Sequence, residues 1–273
     1  MKVELDTARE LAIGAGAILR KHFARKTPVR WKGPGNPVTD ADQEASQFIV
    51  EALRRRFPLD GILCEEEADN PHRMQRSRVW IVDPMDGTTE FVAGRTEFAA
   101  MIGLAVEGRP RMGVVYLPVE GKLYYAESGG GTFVESGSSR QQLRVSTESD
   151  PGRATIAASR SHDSAVAQRI RDALNVGSVV RAGGVGLKVA MICEGHAHLY
   201  IHAGSGTSQW DSCAPEIILH EAGGKMTDVA NSALAYNTAD PRNPHGLIAS
   251  NGALHDRAVA AAQLVLTYDR RVE

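Results

Sequence analysis

The sequence predicts an α/β chain built as layers of sheets and helices. Two observations carry this: strands and helices alternate from residue 154 onward, and the first half joins two amphipathic helices to a strand meander over 97–126. Leu5, Ala8, Leu11, Ala12, Ala15, Ile18, Leu19 and Phe23 recur at helical spacing and predict a helix over 5–24, which Gly14 and Gly16 weaken. Residues 27–38, rich in Pro and Gly, read as a loop. Thr39 then reads as an N-cap, with Asp40 and Asp42 in the first turn of a helix that ends before Pro58. Gly61–Cys64 and Val79–Val82 are short buried strands. The meander runs through Phe98–Val106, Met112–Leu117 and Lys122–Ala126, with turns at Glu107–Pro110 and Glu120–Gly121. A Ser-, Gly- and Gln-rich stretch over 136–153 is the expected boundary between parts 1–150 and 151–273. Beyond it come strands at Ala154–Ala158, Val179–Val180, Ala197–Ile201 and Gly246–Ala249. Helices alternate with them at Asp163–Leu174, Gly186–Cys193, Cys213–Ala222 and Ala253–Leu266.

The chain has 273 residues, 42% hydrophobic and 23% charged, which is ordinary for a soluble domain with a sizeable core. A net charge of −2 argues against a nucleic acid polymer as partner. No apolar run is long enough to span a membrane, and the N-terminus lacks the layout of a signal peptide. Cys64, Cys193 and Cys213 are widely spaced among apolar neighbours and read as reduced, buried thiols of a cytoplasmic protein; no Cys or His pair has zinc-ligand spacing. Trp31, Trp80 and Trp210 read as core or pocket walls, Arg54–Arg56 as a polar helix end, and the alternating His196, His198 and His202 as a solvated strand face.

The chemistry concentrates where apolar strands end in acids. Val79–Val82 runs into Asp83-Pro84-Met85-Asp86-Gly87-Thr88, and Ile62-Leu63-Cys64 runs into Glu65-Glu66. Asp42 and Asp211 open helices and, taken singly, read as capping residues. Carboxylates at buried strand ends are unfavourable unless paired or bound to a cation, and converging acids repel one another unless divalent ions intervene. Hard oxygen ligands suit Mg2+, while free backbone N–H groups after the glycine suit phosphate.

The Asp83-Pro84-Met85-Asp86-Gly87-Thr88 order resembles the signature of the magnesium-dependent, lithium-sensitive phosphomonoesterase superfamily, which includes inositol monophosphatases, fructose-1,6-bisphosphatases and 3′(2′),5′-bisphosphate nucleotidases. Trp210–Glu216 with Glu221-Ala222-Gly223-Gly224 resembles its second signature, and Val38–Asp42 and Glu65-Glu66 match its other acidic positions. The resemblance spans about residues 5–250 and implies a five-layer α-β-α-β-α sandwich of the sugar-phosphatase type. It implies a cofactor of two to three Mg2+ ions: Glu65, Asp83 and the Met85 carbonyl for the first, Asp83, Asp86 and Asp211 for the second, and a looser third near Glu65 and Glu66. Gly87 and Thr88 N–H groups would face the phosphate, and Thr88, oriented by Asp42, would help activate a water; Glu65 joins Asp42 and Thr88 as an expected catalytic residue.

The implied partner is a small-molecule phosphate ester, with a homodimer as one expected assembly. Ser159-Arg160-Ser161-His162 and Leu187-Lys188 resemble nucleotidase segments, with Ser159, His162, Lys188 and Asp211 as substrate residues. Glu90 also matches the nucleotidases, whereas Thr89 stands where they commonly carry Lys. The expected reaction is removal of the 3′-phosphate of 3′-phosphoadenosine 5′-phosphate. The alternatives are an inositol monophosphatase or broad sugar phosphatase and, from another class, a non-catalytic phosphate- or nucleotide-binding regulator. His162 as a helix cap and Lys188 as a solvated helix lysine are the plain structural readings; Gly183-Gly184-Val185-Gly186 alone is a weak signal.

Overall fold

In the computed structural model, which describes residues 1–25, 29–33 and 36–272, helix α1 (Lys2–Arg25) and the hairpin β1 (Val29–Gly33)–β2 (Asn36–Thr39) lead to helix α2 (Asp40–Arg56). Strands β3 (Gly61–Cys64) and β4 (Arg78–Asp86) follow, then the short helix α3 (Thr88–Val92). The meander is β5 (Ala99–Val106), β6 (Arg109–Leu117), β7 (Lys122–Glu127), β8 (Gly131–Ser136) and β9 (Ser139–Leu143). The second half runs β10 (Thr155–Ser159), α4 (Ala165–Leu174), β11 (Ser178–Ala182), α5 (Val185–Cys193), β12 (Leu199–His202), α6 (Gln209–Glu221), β13 (Lys225–Thr227), β14 (Leu247–Ser250) and α7 (His255–Val272).

A seven-stranded sheet follows chain order from β3 to β9, and a five-stranded sheet has the order β11-β10-β12-β14-β13. Helices α1 and α2 cover one face of the larger sheet, α5 and α6 fill the space between the sheets, and α4 and α7 cover the outer face of the smaller one. The result is the five-layer α-β-α-β-α order. The central core draws on both halves of the chain, from Leu63 and Met101 to Ile218 and Leu247.

Local chemistry explains the elements. Thr39 Oγ1 accepts the Ala41 N–H at 3.1 Å while Asp42 Oδ2 accepts the Thr39 N–H at 2.7 Å, a reciprocal cap that starts α2. Gly14 and Gly16, expected to weaken α1, instead permit close packing. A Cβ at Gly14 would lie 2.6 Å from the Phe48 ring, and one at Gly16 would strike Tyr116. Gly103 and Gly113 face each other across β5 and β6. A Cβ at Gly103 would lie 2.7 Å from Cys213 Sγ, and one at Gly113 2.6 Å from the Ala214 carbonyl. Helix α6 therefore rests its backbone almost directly on the sheet.

Several sequence expectations are corrected. The 27–38 loop contains the hairpin β1–β2; its residues 27, 28, 34 and 35 lie outside the described residues. The polar 136–153 stretch contains β9, whose exposed residues conceal an edge strand of the large sheet. Helix α4 starts two residues later than expected because Ser164, not Asp163 or His162, caps it by accepting the Ala167 N–H. Helix α6 starts four residues earlier and carries Pro215 in its interior. The three-residue β13 was too short to show a period. Trp31 is 63% exposed rather than a core or pocket wall, whereas Trp80 is fully buried. His196 and His198 precede β12, and this strand is interior rather than an edge, so the three histidines do not form one solvated face. Among the described residues, no helix is long and apolar enough to cross a membrane.

Candidate active site

Successive residues of a strand point to opposite faces, so Asp83 and Asp86, three apart, would diverge in a regular strand. In β4 they do not. Asp83 pairs with Met101 and Asp86 with Ala99, so β4 carries one extra residue around Pro84, and this bulge turns both acids to the same side. Helix α6 brings the third acid: carboxylate oxygens of Asp83, Asp86 and Asp211 all lie within 4.8 Å of one another.

Each acid is held by backbone N–H groups. Asp83 Oδ1 accepts from Met85 N at 3.0 Å, and Asp211 Oδ2 from Ser208 N at 2.6 Å, the capping box of α6. Asp86 accepts from Val185 N at 3.0 Å and Gly186 N at 2.7 Å. The Gly183–Gly186 turn thus cradles a carboxylate, and Gly184 must lack a Cβ because one there would collide with Asp86. Burial, reinforced by Glu65, Asp86 and Asp211, pushes the Asp83 carboxyl well above the usual carboxylate range. Burial, then Asp86 and Glu65, does the same to Asp211. Burial also raises Asp86, against the opposing charge of Lys188. Such a set of hard, buried, mutually repelling oxygens fits a divalent cation, whose charge would offset the repulsion.

Beside the cluster, Thr88 Oγ1 lies 3.0 Å from both Asp42 Oδ1 and the Met85 carbonyl. Asp42 is 1% exposed, and burial raises its carboxyl to about 6 despite hydrogen bonds from Thr39. It is both the cap residue the sequence suggested and the partner of Thr88. Gly87, at φ +89°, turns the chain out of β4, and a Cβ there would lie 2.6 Å from the Glu97 carbonyl. The first bonds of α3 run from Glu90 and Phe91 to the Gly87 carbonyl, so the N–H groups of Gly87 and Thr88 lie at its open end.

One cleft of about 480 Å³ gathers Glu65, the Asp83–Thr88 turn, Ser159, His162, Lys188 and Asp211. Asp42 reaches it through Thr88. Glu66 instead lines a neighbouring cleft against α2 with Gln47 and Arg54, although its charge still raises Asp42. Lys188 is not a solvated helix lysine. It is 2% exposed, with Nζ 4.6 Å from the Tyr200 ring centroid, and burial lowers its pKa to about 8 against the pull of Asp86 and Asp211. His162 sits exposed at the rim, with Nε2 3.4 Å from Thr89 Oγ1. Glu90 and Glu97 dock this rim: Glu90 accepts from Ser161 Oγ at 2.6 Å, and Glu97 takes both Arg160 (2.6 and 2.9 Å) and the Gly183 N–H. His202, dismissed from the sequence, lines the same cleft, and burial, Lys188 and His162 lower its pKa to about 4. Its signal was available: it follows Tyr200 by two residues and so shares its face.

The sequence pattern of the inositol monophosphatase family matches residues 1–266. The chain belongs to that family. It is 33% identical over 238 residues to the 3′(2′),5′-bisphosphate nucleotidase CysQ of Aggregatibacter actinomycetemcomitans, covering 85% of this chain and 87% of that one. It is 32% identical over 237 residues to inositol monophosphatase 3 of Solanum lycopersicum, covering 84% and 87%. The Thermotoga maritima IMPase structure superposes with a TM-score of 0.83 at 27% identity, over 97% of this chain and 98% of that one. Membership of this family supports a phosphatase, and the family is metal-dependent, generally on Mg2+.

Proposed function

We propose that the protein is a Mg2+-dependent phosphomonoesterase that converts 3′-phosphoadenosine 5′-phosphate to AMP and phosphate, acting in the cytoplasm. The reaction class rests on Asp83, Asp86 and Asp211 converging beside the Thr88–Asp42 pair. Asp83, Glu65 and the Met85 carbonyl would hold one ion, Asp83, Asp86 and Asp211 a second, and Glu65 with Glu66 a looser third. When bound, the ions supply Lewis-acid stabilisation of the phosphoryl charge and lower the pKa of water. The chain's own groups then orient the reactants. Thr88 Oγ1 accepts a hydrogen bond from the attacking water and passes a proton to Asp42 Oδ1, and the Gly87 and Thr88 N–H groups receive the phosphate oxygens.

The substrate reading is carried by the buried Lys188 in the same cleft, with His162 at its rim: a second pair of donors for a second phosphate. Ser159, which lines the cleft with Tyr200, offers a further polar contact. The second reading, an inositol monophosphatase, draws on Thr89 in place of a cationic side chain and on the tomato relative. Comparing kcat/KM for 3′-phosphoadenosine 5′-phosphate and inositol 1-phosphate decides between them, with inhibition by Li+ expected in either case. A preference for inositol 1-phosphate rejects the nucleotidase reading. His162→Ala and Lys188→Ala should impair the bisphosphate much more than a one-phosphate substrate; equal losses would count against a second anion site.

A further inference from the structure

Two of the acids assigned to cation binding stand on segments far apart in sequence. Glu65 opens the connection between β3 and β4, and Asp211 lies in the first turn of α6. A third segment, residues 237–243, touches both. From the first side comes Arg73, 2% exposed, in the 3-10 turn Pro71–Gln75. Its guanidinium forks onto Asp69 (Nε to Oδ1 2.7 Å, Nη2 to Oδ2 2.9 Å) and donates onward to Asn237 Oδ1 and the Thr238 carbonyl, both at 3.0 Å. Asn237 Nδ2 returns to the Arg73 and Arg76 carbonyls at 3.2 Å. From the second side comes Gln209, fully buried, the first residue of α6. Its Oε1 accepts the Asn237 N–H at 2.7 Å, while its Nε2 donates to Thr238 Oγ1 at 2.6 Å and to the Asp240 carbonyl at 3.2 Å. Asn243 Nδ2 adds a bond to the Ser208 carbonyl at 2.9 Å, at the cap that also holds Asp211.

We propose that Arg73, Asn237 and Gln209 form a polar strut, buried at its Arg73 and Gln209 ends, that sets the separation between the Glu65 segment and the Asp211 end of α6, and so act as positioning residues for cation binding. The proposal rests on reading Glu65, Asp83 and Asp211 as cation ligands. The physical reason is tolerance. Ligand oxygens must lie within a few tenths of an ångström of a favoured distance. Asp211 is fixed along the sheet by the Gly103–Gly113 contact, but the strut supplies the cross-tie to the Glu65 side. A guanidinium with four hydrogen bonds and a primary amide with three, in fixed directions, resist shear in a way apolar contacts do not. Asn237 also holds φ +59°, a conformation that favours Asn or Gly and turns both its backbone and its side chain to account.

The test uses the full chain and titrates Mg2+ into metal-free protein by calorimetry. Asn237→Gly keeps the left-handed backbone and the N–H to Gln209 but removes every side-chain bond to the Arg73 segment. Asn237→Asp keeps the acceptor for Arg73. Thr238→Val cuts the Gln209 bond on the other side without changing shape. The expected result is roughly a tenfold weaker Mg2+ affinity for Asn237→Gly and for Thr238→Val, recovered in part by Asn237→Asp. A lower metal-free melting temperature with wild-type Mg2+ affinity in both variants would reduce the strut to a structural role and overturn the proposal. Asp83→Asn serves as the reference. If it still binds Mg2+ like the wild type, the ligand reading fails and the strut with it; if it loses binding while Asn237→Gly and Thr238→Val do not, the strut alone fails.

Discussion

Replacing Asp83 by Asn removes one charge from the most crowded point of the site while nearly conserving shape. The Asn oxygen can still accept the Met85 N–H that Asp83 Oδ1 accepts at 3.0 Å. The oxygens of Asp83, Asp86 and Asp211 lie within 4.8 Å of one another. At that spacing and an effective dielectric near 20, each charged pair repels by about 3 kcal/mol. Without metal the cluster relieves part of this by retaining a proton, so the net gain from losing the Asp83 charge is expected at about 1–2 kcal/mol. In a chain of this size each kcal/mol moves Tm by about 2–4 °C, so the metal-free variant should melt roughly 2–8 °C above the wild type. Saturating Mg2+ should reverse the order. A ligand at one hundred times its Kd stabilises the wild type by about 2.7 kcal/mol, and the variant, having lost a ligand, gains nothing. Calorimetric melting of both proteins in chelator and in Mg2+ gives all four values. The reasoning fails if the metal-free variant melts below the wild type, or if Mg2+ raises both equally. Turnover in the variant should be abolished with the fold intact.

Three further outcomes follow from the geometry. Gly113→Ala inserts a Cβ 2.6 Å from the Ala214 carbonyl; it should destabilise the fold by about 1–3 kcal/mol and lower kcat by shifting Asp211, and a wild-type Tm would show that α6 has room to spare. Asp42 must be ionised to accept a proton, and its carboxyl stands near 6; kcat/KM should therefore fall as pH drops through about 6, and an unchanged acid limb in Asp42→Asn would remove it from that role. His255, fully buried between Thr227 Oγ1 and Ser250 Oγ at 2.9 Å each, has its pKa lowered to about 4 by burial and by Lys225. The unfolded chain binds this proton below about 6.5 and the folded one only below about 4, so stability declines as pH falls across that window, by roughly 3 kcal/mol. His255→Gln should flatten that decline in melting curves taken at stepped pH.

Much of this was legible in the sequence because it is local. The Thr39–Asp42 cap, the buried run Val79–Val82, the meander turns and the alternation after residue 154 each follow from a few neighbouring side chains. What escaped depends on distant partners. The bulge that turns Asp86 to the side of Asp83 is defined by register against β5, which no periodicity within β4 reports. Gly14 and Gly16 look like helix breakers until Phe48 and Tyr116 are known to lie against them. Lys188 stands in the sequence as a substrate residue with a solvated helix lysine as the plain alternative, and only its burial beside Tyr200, Asp86 and Asp211, all on other elements, tells the two apart. Glu65 and Glu66 follow β3 in a turn, and Glu66 also lines a second cleft against α2, which the run of acids alone does not report. The edge strand β9 and the exposed Trp31 failed for the opposite reason: composition was used as a guide to environment where the environment is solvent.

The position of α6 between the two sheets has a consequence during synthesis. The ribosome delivers all seven strands of the large sheet before it delivers residue 209. Until then the face carrying Ile81, Met101 and Val115, which α6 and its neighbours later cover, has no lid of its own. A nascent chain at that stage presents a broad apolar surface beside uncovered acids, and is the form most exposed to aggregation and to chaperone capture. Substitutions in α6 that slow its docking should therefore reduce the yield of recoverable protein before they alter turnover in the molecules that finish folding.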